Sequence, residues 1–159
     1  MIRKTSVFTL LAVGLAVAAC GAGNDGFVEP TGTRMMNIGA VVGAVDWSKA
    51  EARTLTLGEF KFSPSDITFR LNQPYELTLI NEGATGHSFA APGFFEAVAV
   101  KGLVFSDGEV AMPILQSVAL EAGETKILIF VPVRVAEIPL ICDQPLHKSF
   151  GMTGEIRIE

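Results

Sequence analysis

The sequence predicts an all-β domain, an antiparallel sandwich or barrel, on three observations. Apolar residues alternate at period two from Thr54 onward, the runs are short, and turn residues part them at roughly eight- to twelve-residue intervals. Composition agrees with this. Of 159 residues 49% are hydrophobic and 18% charged, with 16 Gly and 8 Pro, which suits a globular fold and argues against disorder.

The elements follow in order. Leu55 and Leu57 share one face of a first strand, and Gly58 then shifts the phase so that Phe60 and Phe62 alternate, which predicts a bulge. Ser63-Pro64-Ser65-Asp66 is a turn, Ile67, Phe69 and Leu71 alternate next, and Asn72-Gln73-Pro74 is another turn. Tyr75, Leu77 and Leu79 form a strand closed by Asn81-Glu82-Gly83. Val118 and Leu120 precede the turn Glu121-Ala122-Gly123-Glu124, and Ile127 to Val131 is a continuous apolar strand. Ile138, Leu140 and Cys142 share a face, and Ile156 and Ile158 alternate in the last strand. Pro92 to Gln116 fits this pattern least. There Phe94 to Val100 reads as a short helix or an irregular crossover between sheets.

The N-terminal third reads differently. Arg3 and Lys4 precede a mostly apolar run from Val7 to Val17, then small residues ending at Cys20, the layout of a secretory signal too short to span a bilayer. A small-residue stretch closing on cysteine resembles the bacterial lipoprotein signal, which implies lipidation of Cys20 as the mature N-terminus. The plainer reading is an ordinary signal peptide cut after Ala16-Val17-Ala18. Gly21 after the cysteine resembles lipoproteins sent to an outer membrane. Gly21 to about Met36 is rich in Gly, Asn, Asp, Thr and Pro and reads as a tether, whereas 38–52 is ambiguous, with one or two helical turns around Trp47, a packing anchor. The expected division is 1–19 signal peptide, 20–53 tether and ambiguous segment, and 54–159 β-domain.

Charge and inventory exclude several functions. A net charge of −5 argues against a nucleic-acid partner held by a basic surface. Two Cys and two His rule out four-cysteine zinc sites, multi-histidine copper clusters and a disulfide framework.

The chemistry concentrates near the C-terminus. Cys142, His147 and Met152 recur as C-x4-H-x4-M in a short loop between two predicted strands, and His87 follows the Tyr75 strand in Gly86-His87-Ser88-Phe89. Taken singly, each residue reads as core filler or a solvated imidazole. Together they offer two imidazoles, a thiolate and a thioether, the ligand field of a blue-copper electron-transfer site. In an exported protein whose other cysteine is lipidated, Cys142 has no disulfide partner and is an oxidation liability unless buried or metal-bound.

On these residues, and on Met-Thr-Gly-Glu-Ile-Arg-Ile at Met152–Ile158, the sequence resembles the cupredoxin family of plastocyanin and azurin over about Thr54 to Glu159. The resemblance implies a Greek-key β-sandwich with one type 1 copper ion at one end. It implies Cys142 as thiolate ligand, His87 and His147 as imidazole ligands, and Met152 as the axial ligand. Ser88 stands where family members often carry Asn to tie the ligand loops together. Pro145, Leu146 and Phe150 would form an apolar collar near His147, which the resemblance implies to be the electron port.

The expected function is a membrane-tethered, periplasm-facing carrier of single electrons between redox proteins of the bacterial envelope, working as a monomer and not as an enzyme. The lipid anchor would sit in the outer membrane rather than the inner. The alternative is a copper chaperone, buffer or resistance module without redox turnover. Oxidases and nitrite reductases need further histidines, and both histidines are already committed to one site.

Overall fold

The computed structural model describes residues 32–159 apart from Met112, with backbone only for 32–36. The expected signal peptide, Cys20 and the first part of the expected tether lie outside the described residues. The chain folds into a sandwich of two sheets, built from strands β1 (Glu51–Gly58), β2 (Lys61–Ser63), β3 (Asp66–Phe69), β4 (Tyr75–Asn81), β5 (His87–Ala90), β6 (Val98–Phe105), β7 (Gly108–Ala111), β8 (Ser117–Leu120), β9 (Thr125–Pro132), β10 (Ala136–Ile141) and β11 (Thr153–Ile158). One sheet runs β2-β1-β4-β9-β6-β7 and the other β3-β11-β10-β5-β8.

Period-two burial explains most of these strands. β4 buries Tyr75, Leu77, Leu79 and Asn81, whereas Glu76 is exposed and Thr78 and Ile80 are half-buried. β11 buries Ile156 and Ile158 in the same manner. The inward residues of both sheets meet in one core centred on aromatic rings. Phe69 stands edge-on to Tyr75 at 4.9 Å and to Phe130 at 5.1 Å between centroids, and Phe94 stands edge-on to Phe130 at 5.0 Å. Such edge-to-face pairs stabilise beyond the area they bury.

The structure corrects the sequence reading in four places. Pairing is mixed rather than purely antiparallel, because β1 runs parallel to β4 and β3 parallel to β11. The chain between β1 and β4 passes to the other sheet to form β3, so β1 and β4 meet without a hairpin. The phase shift after Gly58 is no bulge: Glu59 and Phe60 form a two-residue hairpin turn joining β1 to β2, with Phe60 at φ 57. The first strand begins at Glu51 rather than Thr54.

The fourth correction concerns the segment before β1. Helix α1 (Gly32–Ala44) occupies part of the expected tether and half-buries Ile38, Val41 and Val42 at helical spacing. A single 3-10 turn, Trp47–Lys49, follows, capped by Asp46. The Trp47 indole donates to the Val42 carbonyl at 3.0 Å, and the Lys101 ammonium sits 5.0 Å over its ring, so Trp47 is the expected anchor.

α1 packs on β6 and resolves the poorly fitting stretch. Helix α2 (Pro92–Ala97) is the expected short helix, and it leads straight into β6. Val98, Ala99 and Val100 are all buried, because β6 is covered on both faces. A strand covered on both sides loses its alternation, which is why period two fails there.

Candidate metal centre

Three connections converge at one end of the sandwich. The segment after β4 delivers His87 as the first residue of β5, the loop from β10 to β11 carries 142–152, and the β1–β2 turn brings Glu59 and Phe60 alongside. β5 and β10 are paired neighbours with Ala90 opposite Ile141, so their ends hold His87 and Cys142 close together.

Each approach is built from backbone needs. Asn81, buried at the end of β4, donates its amide to the carbonyls of Thr85, Leu120 and Glu121 and accepts from the Gly83 N–H. One side chain thereby sets the path into His87. The 142–152 loop closes on itself: Met152 N–H donates to the His147 carbonyl at 3.0 Å, and Cys142 N–H to the Met152 carbonyl at 3.2 Å. So short a loop needs left-handed backbone, supplied by Gly151 at φ 98 after the Lys148–Phe150 turn and by Leu146 at φ 70. Leu146 adopts that region as a non-glycine residue immediately before His147, a cost accepted to aim the ring inward.

The donor atoms form a compact triangle. His87 Nδ1 lies 3.1 Å from His147 Nδ1 and 4.0 Å from Cys142 Sγ, and His147 Nδ1 lies 3.5 Å from Sγ. A point equidistant from all three sits about 2.1 Å from each, close to the length of a bond from imidazole or thiolate to a transition-metal ion. That geometry suits a single metal ion held by all three donors. Among the described residues His87 and Cys142 are buried and His147 is half-buried, so the triangle is most open to solvent at His147. Met152 is buried and held to both Cys142 and His147 by the backbone bonds of the loop.

Ser88 performs the tie expected of an asparagine. Its hydroxyl accepts from the Asp143 N–H at 2.9 Å and donates to Asp143 Oδ1 at 2.6 Å. The single hydroxyl proton goes to the carboxylate, which leaves the Cys142 sulfur, 3.7 Å away, free of it. Burial holds the His87 imidazole below the usual histidine range; Glu59 opposes that shift and His147 adds to it. A neutral imidazole is the form that binds a metal.

The outer face of the site is apolar. Phe60 packs edge-on against the His147 ring at 5.2 Å and against Phe150 at 4.9 Å, while Phe60, Leu146 and Phe150 stay exposed. Of the expected collar, Leu146 and Phe150 are exposed apolar residues flanking His147 in the chain, and Phe60 joins them. Phe60 and Glu59 escaped the sequence reading, for they lie far from the loop in the chain; the phase break at Gly58 was the one trace of the turn that carries them.

Comparison with solved structures bears on the fold. A multicopper oxidase from Pseudomonas thermotolerans aligns with a TM-score of 0.58 at 18% identity, over 72% of this chain and 31% of its own. Copper nitrite reductase from Nitrosomonas europaea aligns at 0.56 and 14% identity, over 70% and 50%. The chain has the cupredoxin fold. Auracyanin from Roseiflexus castenholzii, at a TM-score of 0.49 and 16% identity, is covered over 98% of its length by 69% of this chain. No protein-family model matches the sequence, and no curated protein does. This cupredoxin-like domain thus spans about a third of the oxidase and half of the reductase. Its cluster of His87, Cys142 and His147, with Met152 in the same loop, matches the donor set of a type 1 copper site.

Proposed function

We propose that this protein is a blue copper electron carrier, anchored by lipid at Cys20 to the bacterial envelope. The observation that carries the reading is the donor triangle, in which two imidazole nitrogens and one sulfur face a common centre at bonding radius. Copper bound there would supply a one-electron Cu(II)/Cu(I) couple.

The protein's own part is to hold the donors still. His87 and Cys142 sit at the ends of paired strands, and Ser88 and Asp143 lock the two segments together. Ligands that need not move between oxidation states keep the reorganisation cost of transfer low. The exposed Phe60, Leu146 and Phe150 exclude water around the His147 edge and offer an apolar face on which a redox protein could dock.

A carrier is favoured over an enzyme because these 159 residues hold two histidines, and both face the same centre. Nothing remains to build a second copper centre of the multi-histidine kind. Enclosure of two of the three donors also favours a carrier over a delivery module, which has to surrender its metal. In the cell, a lipid-held chain would keep the domain at high effective concentration near membrane partners.

The test is reconstitution with copper. An intense visible thiolate-to-copper band is expected, and Cys142→Ala should abolish it; a colourless copper-loaded protein would defeat the reading. Fractionation tests the anchor separately: Cys20→Ala should release the protein from membranes, and unchanged membrane association refutes lipidation at that residue.

A further inference from the structure

His87 binds through Nδ1 in the proposed site, so its other nitrogen has to carry the ring proton. That atom, Nε2, is fully buried and has no hydrogen-bond partner among the described residues. A buried N–H left unpaired costs about 1–3 kcal/mol, so its surroundings are informative. The group facing it is the Glu59 carboxylate, whose Oε1 lies 3.8 Å away.

Three features make that approach specific. The Ala84 N–H donates to the same Oε1 at 2.7 Å and so fixes where the carboxylate stands. Gly83 lies beside both groups: a Cβ there would come within 2.5 Å of His87 Nε2 and 2.9 Å of Glu59 Oε1, so only glycine leaves the ring and the carboxylate facing each other. The separation is also too short for a bridging water, since two hydrogen bonds in series need about 4.5 Å. A direct bond requires the carboxylate to come closer than that 3.8 Å while it keeps its bond to Ala84.

We propose that Glu59 is a positioning residue of the metal centre. Its carboxylate accepts the Nε2 proton of His87, which leaves Nδ1 free as the donor and makes the imidazole more basic. This rests on the copper reading for its purpose, though not for its chemistry. Carboxylate–histidine–metal triads work in this way, and loss of the outer partner typically costs about 10- to 100-fold in metal affinity. In the metal-free protein the same arrangement assigns the contact between the two rings: His147 donates its Nδ1 proton to His87 Nδ1 across 3.1 Å.

The simpler role for Glu59 is to brace the loop through Ala84. Glu59→Gln separates the two, because the amide oxygen can still accept from Ala84 while the charge is lost. The experiment uses 15N-labelled metal-free protein at a pH where both rings are neutral, and reads the His87 tautomer by long-range 1H–15N correlation. The native protein is expected to carry the proton on Nε2, and Glu59→Gln to shift His87 toward a mixture, with Glu59→Asp between the two. After copper loading, Glu59→Gln should bind about 10- to 100-fold more weakly and show a raised reduction potential, because a negative charge that favours the oxidised ion is gone. A native His87 protonated on Nδ1, a tautomer unchanged by Glu59→Gln, or an unchanged potential in a protein that holds copper overturns the proposal. If the native protein binds no copper, the carrier reading fails, and the metal-free tautomer still decides the role of Glu59.

Discussion

Gly83→Ala offers a demanding test of how tightly the fold holds its first histidine. The added methyl would lie 2.5 Å from His87 Nε2 and 2.9 Å from Cδ2, where ordinary contact begins at 3.4 Å. Something has to move by about 0.9 Å, and overpacking of this kind costs about 1–3 kcal/mol. The backbone has little freedom to yield, because the Gly83 N–H is bonded to Asn81, whose amide is in turn held by three carbonyls. The ring has to move instead. It is fully buried, and its Nδ1 already lies 3.1 Å from the His147 nitrogen. Displacement of that size exceeds the ~0.5 Å tolerance of a preorganised site. Denaturant unfolding of the metal-free variant should therefore show a loss of about 1–3 kcal/mol, and copper titration should give a weaker, shifted visible band. Unfolding within about 0.5 kcal/mol of the parent, the range of an inert surface change, together with an unaltered band, would refute the packing argument.

Two further expectations concern the ties around the site. Ser88→Ala removes both bonds to Asp143, which are part-buried, so unfolding should be easier by about 0.5–1.5 kcal/mol; Ser88→Thr, which keeps the hydroxyl, should recover part of the loss in the same denaturation assay. The metal-free protein should also weaken in acid. Because the folded His87 value lies below 6.5, protons bind the unfolded chain first, so this contribution is complete above 6.5 and is lost as pH falls from there toward the lower folded value. Melting curves across that range should show the decline, displaced to lower pH by copper, which competes with protons for Nδ1.

Most of the sandwich was legible because a strand with one face in the core and one in water has to alternate. Tyr75, Leu77 and Leu79 in β4 and Ile156 and Ile158 in β11 announce themselves in this way. β6 did not, since α1 covers the face that would otherwise be polar and the run Val98-Ala99-Val100 is apolar throughout. α1 itself was obscured by Gly39 and Gly43, which weaken a helix pattern in a segment that packing on β6 then stabilises. The bulge expected at Gly58 was a hairpin, and a change of phase by itself does not separate the two.

For the site, residue type and spacing alone were enough to nominate His87, Cys142, His147 and Met152, because few side chains can hold a soft metal and this chain has few of them. Chain order could not say that the first histidine would arrive within bonding reach of the sulfur; pairing of β5 with β10 decided that. Nor could it place Glu59 behind His87 or Phe60 against His147, since a two-residue turn meets residues 28 and 87 positions further along the chain only once the sheets have packed. Local pattern determines which groups are available, and the long-range register of the strands determines which of them meet.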